Sequence, residues 1–472
     1  MFSVTRIGLS ILLIGMLCGV ASVPASAQDG APVATPPAVT TIPTDCCNMQ
    51  VVYQPNPHYV VTTLDPPIFN FFAGTFANLP TDKEVTIGLN MTDMDQLGGY
   101  ADVSKWSGLR PLMTYGDITD PATYEWFEKD AEGRWASGDL GKRGAARYAG
   151  AGVVPEQTVI PPEVAPQFLS ADGRYWQPWR AVERTEVMPD LNILRITHHF
   201  AYPTATVAMR YPFSSALLER YLGVLRARQD PRIRLRMFGH SAEGRPLYAI
   251  EVKSSRFFLQ QPGTLLCYAM EHGSEPDGAH ALIGVLQAIL SDQLAAWPRL
   301  SLIPIYDPDS VAACRYEGML NSFDLLQMTP ESTALAAYAR AFVADNKHLD
   351  TVLGLHNVES GEAGNLWMPH ADFMRWWAIK PIKERVDAYA TARGYTVTPS
   401  VREMTFQGNR FEGWTAKELQ TVSLLYEVNA QAPGASPLTL KQLHGLGAAL
   451  VAGVDDSQMH DDWLREMRQR RY

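Results

Sequence analysis

The chain has 472 residues, of which 46% are hydrophobic, and its formal net charge is -10. This length and apolar content are typical of a globular protein with two or three domains, and they exclude a disordered or fibrous chain. The negative charge argues against general nucleic-acid binding, because proteins of that class present a basic surface to the phosphates.

The first residues have the pattern of a secretory signal peptide. Arg6 precedes an apolar stretch at 7–20, and Ala-Ser-Ala at 25–27 is a small-residue cleavage site. We expect residues 1–27 to be removed and the mature protein to be exported, as a periplasmic or secreted protein. The apolar stretch is shorter than the roughly 20 residues that span a membrane, and no span is expected in the mature chain. Residues 28–57 are rich in Pro, Thr and Ala, which predicts a flexible linker.

The segment 58–213 shows short alternating runs, such as those at 84–89 and 192–196, punctuated by Gly, Pro and Asp. Alternation of apolar and polar residues is the pattern of strands with one buried face. The segment is therefore predicted to form an all-β sandwich domain.

The segment 214–456 changes to a pattern in which strands and helices alternate. Ser214 or Ser215 is a plausible cap for an amphipathic helix that ends at Arg228, and a hairpin follows. The later predictions are strands at 265–270, 302–306, 351–355 and 422–428 and helices at 277–290 and 330–346. Such alternation predicts a layered α/β domain, followed by a C-terminal tail at 457–472.

Candidate metal ligands follow the apolar strands of this second domain. His272 and Glu275 come directly after one strand, His356 ends another, and Glu427 lies at the end of a third. Two histidines and a glutamate form one of the standard ligand sets of catalytic zinc, which keeps its fourth position open for water. Because open α/β sheets bind ligands at the carboxyl ends of their strands, the sequence predicts one shared pocket.

An isolated His-x-x-Glu occurs by chance in many proteins, but here further motifs accompany it in order. These motifs resemble the landmarks of zinc carboxypeptidases, and most closely those of the cytosolic-carboxypeptidase branch, whose catalytic domain follows a β-sandwich. The resemblance covers roughly residues 60–455. It is carried by the Gly-His-Ser-Ala-Glu-Gly-Arg-Pro-Leu segment at 239–247, His272-Gly273-Ser274-Glu275, Asp307-Pro308-Asp309 with Arg315, Asp324-Leu325, Leu355-His356 and Glu427.

The resemblance implies a mixed-sheet α/β/α catalytic domain that binds one zinc ion per chain. His272, Glu275 and His356 would hold the metal. Glu427 would act as general base towards the zinc-activated water and later as proton donor.

Two further roles are implied by the resemblance. Arg315 would polarise the substrate carbonyl and stabilise the oxyanion, which suits an always-charged guanidinium. Asp324 would orient the His272 imidazole, since a metal-bound histidine usually donates its other N–H to a carboxylate or carbonyl.

The sequence also departs from the family pattern. Leu326-Gln327 stands where the family has the Asn-Arg pair that grips the substrate carboxylate, and Ser310 stands where the Asn-Pro-Asp-Gly stretch has glycine. Gln327 and Phe406, which lies near the place of the family's active-site tyrosine, are the candidate substrate-binding residues. The cations that can replace the missing clamp are Arg402, Arg410 and Lys417.

These observations predict an exported zinc metallocarboxypeptidase that acts on a peptide or peptide-like substrate. Two alternatives are an aspartoacylase-like deacylase and a peptidoglycan-peptide amidase, for which the loss of Asn-Arg matters less. A third is a peptide- or glycan-binding protein that has kept zinc but lost turnover. The sequence leaves open the group released and the oligomeric state.

Overall fold

The computed structural model describes residues 37–65, 71–91, 103–129, 135–137, 175–256, 263–315, 323, 328–358, 365–369, 376–392, 400–401, 410–431 and 436–460. The described residues from Ala38 onward belong to one compact unit. The predicted signal peptide lies outside the described residues. None of the helices in these ranges is long and apolar enough to cross a membrane.

The N-terminal half is built from strands, as its alternating sequence predicts. In chain order they are β1 (Thr40–Ile42), β2 (Met49–Asn56), β3 (Tyr59–Leu64), β4 (Ala73–Ala77), β5 (Val85–Asn90), β6 (Leu112–Thr114), β7 (Phe127–Lys129), β8 (Trp135–Ser137), β9 (Tyr175–Trp176), β10 (Arg180–Ala181), β11 (Arg184–Met188), β12 (Ile193–His198) and β13 (Ala205–Ala208).

Two five-stranded sheets make up the sandwich. Their strand orders are β1-β4-β13-β6-β10 and β11-β12-β5-β3-β2, and β7, β8 and β9 form a small third sheet. Side chains from both large sheets share one core, which includes Phe76 and Val207 from the first sheet and Val60 and Ile87 from the second. The predicted sandwich fold is confirmed.

The sandwich begins earlier in the chain than the sequence analysis predicts. Strands β1 and β2 fall within residues 28–57, so the linker prediction is wrong for their residues. Both strands lie at sheet edges, and β2 contains Pro55 and exposes Val52 and Tyr53. Proline and a mostly solvated face are tolerated at an edge strand, so this strand lacks the alternation that identifies an inner strand.

The second half has the predicted alternation of strands and helices. Its strands are β14 (Ile233–His240), β15 (Pro246–Val252), β16 (Thr264–Ala269), β17 (Arg299–Ile303), β18 (Thr351–Asn357), β19 (Leu366–Pro369), β20 (Ser400–Val401) and β21 (Val422–Val428). Its helices are α1 (Ser215–Arg228), α2 (Asp277–Leu290), α3 (Pro308–Ala312), α4 (Pro330–Asn346), α5 (Trp376–Ala392), α6 (Phe411–Glu418) and α7 (Leu440–His460). Helix α7 continues past residue 456, into the predicted tail.

One eight-stranded sheet organises this half, in the order β14-β15-β17-β16-β18-β21-β19-β20. The central strands β17, β16, β18 and β21 are parallel, whereas β14, β15 and β19 pair with their neighbours antiparallel, apart from the parallel β19–β20 pair. The mixed sheet is therefore as predicted.

Helices cover both faces of this sheet, because the central strands are apolar on both sides. On β16, Leu265 and Cys267 pack into a core with helices α1, α2, α5 and α7, whereas Leu266 and Tyr268 pack into a second core with α4 and α6. This is the predicted α/β/α layering.

The sandwich and the α/β half share a core. In the first sandwich sheet, Phe72 and Val207 point into the sandwich, whereas Ala73 and Ala208 belong to the same core cluster as helix α2. Alternate residues of a strand face opposite sides of its sheet, so this sheet is buried on both faces.

Helices α2 and α7 pack closely around two buried histidines. A Cβ added to Gly284 would collide with the backbone of His444, and glycine is what permits this approach. The rings of His280 and His444 lie 6.4 Å apart between centroids, and His280 Nε2 is 3.2 Å from the Pro212 carbonyl. Burial lowers the pKa of His280 to about 4; burial and the nearby His280 lower that of His444 to about 3.

These depressed pKa values predict that acid destabilises the protein before its carboxylates titrate. Below pH 6.5 these histidines are protonated in the unfolded chain but stay neutral in the folded protein. The free energy of unfolding therefore falls as the pH decreases from 6.5 towards the pKa values of the folded state. Each histidine is expected to lower the free energy of unfolding by about 2 kcal/mol between pH 7 and pH 5.

Urea unfolding at both pH values tests this with the variant His444→Gln. The decrease in the free energy of unfolding from pH 7 to pH 5 should be smaller in the variant than in the parent by about the contribution of one histidine. An equal loss in both proteins would contradict the prediction.

Candidate metal centre

A short loop between β16 and α2 carries the first two candidate ligands. Strand β16 ends at Ala269, and Met270 takes a left-handed conformation with φ 54°. The Glu275 N–H then donates to the His272 carbonyl at 3.1 Å, which closes a tight turn just before α2. This turn directs His272 and Glu275 to the same side, and both side chains are buried.

The third candidate ligand, His356, comes from the neighbouring strand β18. Strands β16 and β18 are parallel, and Ala269 pairs with Leu355. Both strands therefore reach the same edge of the sheet with their carboxyl ends, as the sequence analysis expects, and His356 lies beside the loop that follows β16.

The three side chains meet around the carboxylate of Glu275. His272 Nδ1 lies 3.0 Å from Glu275 Oε1, and His356 Nδ1 lies 2.9 Å from Glu275 Oε2. The two imidazole rings are 5.1 Å apart between centroids. The three residues form a group whose ligand atoms all lie within 4.8 Å of one another.

The electrostatics of the group favour an ionised carboxylate. Burial alone would raise the pKa of Glu275, but the adjacent His272 and His356 imidazoles lower it far below its usual value. Burial likewise opposes the charged form of His356, yet Glu275 and Glu271 raise the His356 pKa to about 10. Two carboxylates thus make this position favourable for a positive charge.

This donor set fits a divalent metal ion. It offers two imidazole nitrogens and one carboxylate, the set that suits zinc, and both histidines present Nδ1 to the same carboxylate. His272, Glu275 and His356 can therefore hold a metal.

Glu427 lies beside His356 in the sheet. Strands β18 and β21 are parallel, and His356 and Glu427 are register partners, so both side chains lie on the same face. Glu427 is partly exposed, whereas its neighbours Tyr426 and Val428 are fully buried. A carboxylate at this position can exchange protons with a molecule bound next to the three candidate ligands.

Arg315 is exposed and lies on a loop that is anchored to the ligand loop. The hydroxyl of Ser310 accepts from the Gly273 N–H at 3.0 Å and donates to the Arg315 carbonyl at 2.9 Å. Ser310 thus connects the loop of His272 to that of Arg315. Gly273 allows this approach, because an added Cβ would collide with the Ser310 backbone.

A buried acidic network, which was not predicted from the sequence, lies behind His356. His356 Nε2 is 3.4 Å from Glu271 Oε2. The Tyr268 hydroxyl lies 3.5 Å from the same oxygen and also hydrogen-bonds to Glu412. Burial raises the pKa of Glu412 to about 7.

Glu271, Glu412 and His356 form a second group of closely spaced potential ligands. We interpret it as an electrostatic support for His356, because Glu271 lies 3.4 Å from His356 Nε2 and the Tyr268 hydroxyl already contacts both carboxylates. A sequence signal for Glu271 exists: it is an acid that directly follows an apolar strand and precedes a candidate ligand, the same reasoning that identifies Glu427.

Asp277 is the first residue of α2, and its side chain does not cap the helix. The residue at the N-cap is Pro276, which has no side-chain capping hydrogen bond. The Asp277 carboxylate instead binds the guanidinium of Arg210 and the side-chain amide of Asn357. A buried partner distant in the sequence therefore outweighs the local capping preference.

Several predicted site residues lie outside the described part of the chain, namely Asp324, Gln327, Phe406 and Arg402. Of the other two clamp candidates, Arg410 is half-buried at the N-cap of α6, and Lys417 is exposed near the end of that helix. Burial raises the pKa of Glu271, but His356, His272 and then Arg410 lower it below its usual value. The charge of Arg410 thus acts on the acidic network, which places Arg410 near the site.

The fold is that of known metallo-carboxypeptidases. A metallo-carboxypeptidase from Burkholderia cenocepacia has a TM-score of 0.62 and 12% identity over 88% of this chain and 98% of that one. A metallo-carboxypeptidase from Pseudomonas aeruginosa, solved in complex with (2-guanidinoethylmercapto)succinic acid, has a TM-score of 0.59 and 13% identity over 88% and 97% of the two chains. No protein-family model and no curated protein sequence matches. At this identity the comparison confirms the predicted fold.

Proposed function

We propose that this chain is an exported zinc metallocarboxypeptidase, which hydrolyses a C-terminal peptide or amide bond. The observation that carries the proposal is the meeting of His272, Glu275 and His356 beside Glu427, at the carboxyl edge of a sheet with the metallo-carboxypeptidase fold. The signal-like N-terminus supports export.

The chain's own residues can divide the work of hydrolysis. A bound zinc ion supplies a water of lowered pKa and polarises the scissile carbonyl. Glu427 would accept a proton from the attacking water and later donate it to the leaving amine, since its partly exposed side chain lies on the same sheet face as His356. Arg315 binds the carbonyl oxygen as negative charge develops on it, from a loop fixed by Ser310.

Arg410 is the best supported candidate for binding the substrate's terminal carboxylate in place of the family's Asn-Arg pair. It is half-buried, and its charge acts on Glu271 behind the metal ligands. A guanidinium offers the bidentate geometry that carboxylates accept. Lys417, by contrast, is exposed at the other end of α6.

The proposal is tested by incubating the purified, zinc-loaded protein with a mixed library of peptides and acylated amino acids. Mass spectrometry should detect the loss of single C-terminal residues from peptides, and a chelator should abolish it. Cleavage of acylated amino acids alone would assign the chain to the deacylases. Zinc binding without any cleavage would favour a binding protein.

The contact between Glu271 and His356 predicts a specific effect on zinc affinity. A carboxylate 3.4 Å from His356 Nε2 favours the proton on that nitrogen and leaves Nδ1 for the metal, and so favours one tautomer and one ring orientation. Glu271→Gln is therefore expected to weaken zinc binding by about 10- to 100-fold, measured by competition with a chromophoric chelator.

A matched control for this variant is Glu251→Gln. Glu251 lies on the outer strand β15; its carboxylate is largely buried and pairs with Arg234 and Arg236 of β14. It should change zinc affinity less than about twofold, since such partners lie away from the ligands. Equal zinc affinities in the two variants would show that Glu271 does not support His356.

A further inference from the structure

Arg210 is a buried arginine that comes from the sandwich and ends in the α/β half. It follows strand β13 closely, where the Met209 N–H still bonds to the carbonyl of Phe72, the residue before β4. Its side chain is only 1% exposed. The guanidinium donates from Nη1 to Asp277 Oδ2 at 2.5 Å and from Nη2 to the Val358 carbonyl at 3.1 Å.

Both acceptors are close neighbours of the candidate metal ligands. Asp277 is two residues after Glu275, and Val358 is two residues after His356. The side-chain amide of Asn357 also donates to Asp277 Oδ2, at 3.0 Å. One guanidinium therefore connects the loop that carries Glu275 to the end of the strand that carries His356.

A buried ion pair of this kind is weak evidence for stability, because the desolvation of two charges offsets their attraction. Its effect on geometry is more definite. A metal site needs its ligands held within about 0.5 Å of their binding positions by locked surroundings. The planar guanidinium, with donors in fixed directions, can set the distance between two backbone segments.

We propose that Arg210 is a positioning residue, through which the sandwich holds Glu275 and His356 in the arrangement that binds the metal. The inference rests on the proposed function only in requiring that His272, Glu275 and His356 bind zinc. It does not depend on which bond is cleaved. It also assigns the sandwich a role in the site, beyond that of a covering domain.

The test compares Arg210→Met with Arg256→Met in the full-length protein. Arg256 is a matched control, because its guanidinium also binds a buried aspartate, Asp455, with both contacts at 2.5 Å. That pair lies near Gly263, which precedes β16, so it is at the opposite end of the strand from the ligands. Both variants remove the arginine of an ion pair and leave one buried carboxylate; the Arg256 side chain is 19% exposed and that of Arg210 is 1% exposed.

Two quantities are measured for each apo protein: the urea midpoint of unfolding and the zinc dissociation constant from chelator competition. Both variants should lower the midpoint. Only Arg210→Met should weaken zinc binding, by about 10- to 100-fold, as for other groups that orient metal ligands. Arg210→Lys keeps the charge but loses the paired donors of the guanidinium, so its zinc affinity should lie between those of the parent and Arg210→Met. This order of zinc affinities distinguishes a positioning role from a general loss of stability.

Zinc affinity within about twofold of the parent in a folded Arg210→Met protein would overturn the inference. If that variant does not fold, Arg210→Lys serves instead, since it keeps the charge but cannot donate to Asp277 and the Val358 carbonyl in the same fixed geometry. Zinc affinity within about twofold of the parent in that variant would also overturn the inference. A parent that binds zinc but cleaves no substrate contradicts only the proposed function. A parent without zinc binding contradicts both.

Discussion

Replacing Glu427 with Gln is expected to lower kcat by about 10²- to 10⁴-fold, the usual contribution of a positioned general base. Glutamine has nearly the same shape but cannot accept the proton of the attacking water. The three candidate ligands are unchanged, so zinc content should stay that of the parent. The measurement is the rate of release of the C-terminal residue at saturating peptide, together with metal analysis of the same sample.

Glu418→Gln provides the control for Glu427→Gln. Glu418 is an exposed glutamate at the end of α6, and its replacement should leave kcat unchanged. Loss of zinc in Glu427→Gln would instead make Glu427 a metal ligand. Full activity of a zinc-loaded Glu427→Gln protein would require another group as the base.

The second large effect is expected from His356→Ala. Structural zinc sites bind with about 10–16 kcal/mol, so removing one of three protein ligands should weaken binding by about 3–5 kcal/mol, or about 10²- to 10⁴-fold. The purified variant should hold little zinc after dialysis and should release no C-terminal residues. Metal analysis and the peptide assay together check both expectations.

His348→Ala is a matched control for that variant. His348 is also buried, but it pairs with Asp350 at 3.2 Å near the start of β18, away from the ligands. It should lower stability and leave the zinc content at one ion per chain. If His356→Ala retained zinc and activity, the assignment of His356 as a ligand would be wrong.

Most elements of the α/β half could be predicted from the sequence because their patterns are local. Helices α2 and α4 and strand β21 have the predicted bounds, and Thr329 caps α4 through its side chain. Helical periodicity, capping residues and unbroken apolar runs lie within one element, so each segment carries its own signal. The positions of His272, His356 and Glu427 at strand ends followed from those elements.

The features that were missed depend on partners distant in the sequence. Asp277 resembles a helix cap, and only the fold brings Arg210, 67 positions earlier, to its carboxylate. Similarly, strand β1 pairs with β4 and β2 with β3, so the start of the sandwich is defined by pairing rather than by its own composition. Local patterns cannot report such contacts.

One sheet of the sandwich is buried on both faces. Each half therefore covers an apolar surface of the other, and we expect the two halves to be inherited together. Ala73 and Ala208 belong to the core of the α/β half, whereas Phe72 and Val207 belong to the sandwich. Division of the chain near residue 213 would give two fragments, each of which exposes an apolar surface to solvent. Recombination that exchanges one half for an unrelated module would do the same. We therefore expect the chain to be conserved as one module, although its topology divides it into a sandwich and an α/β half.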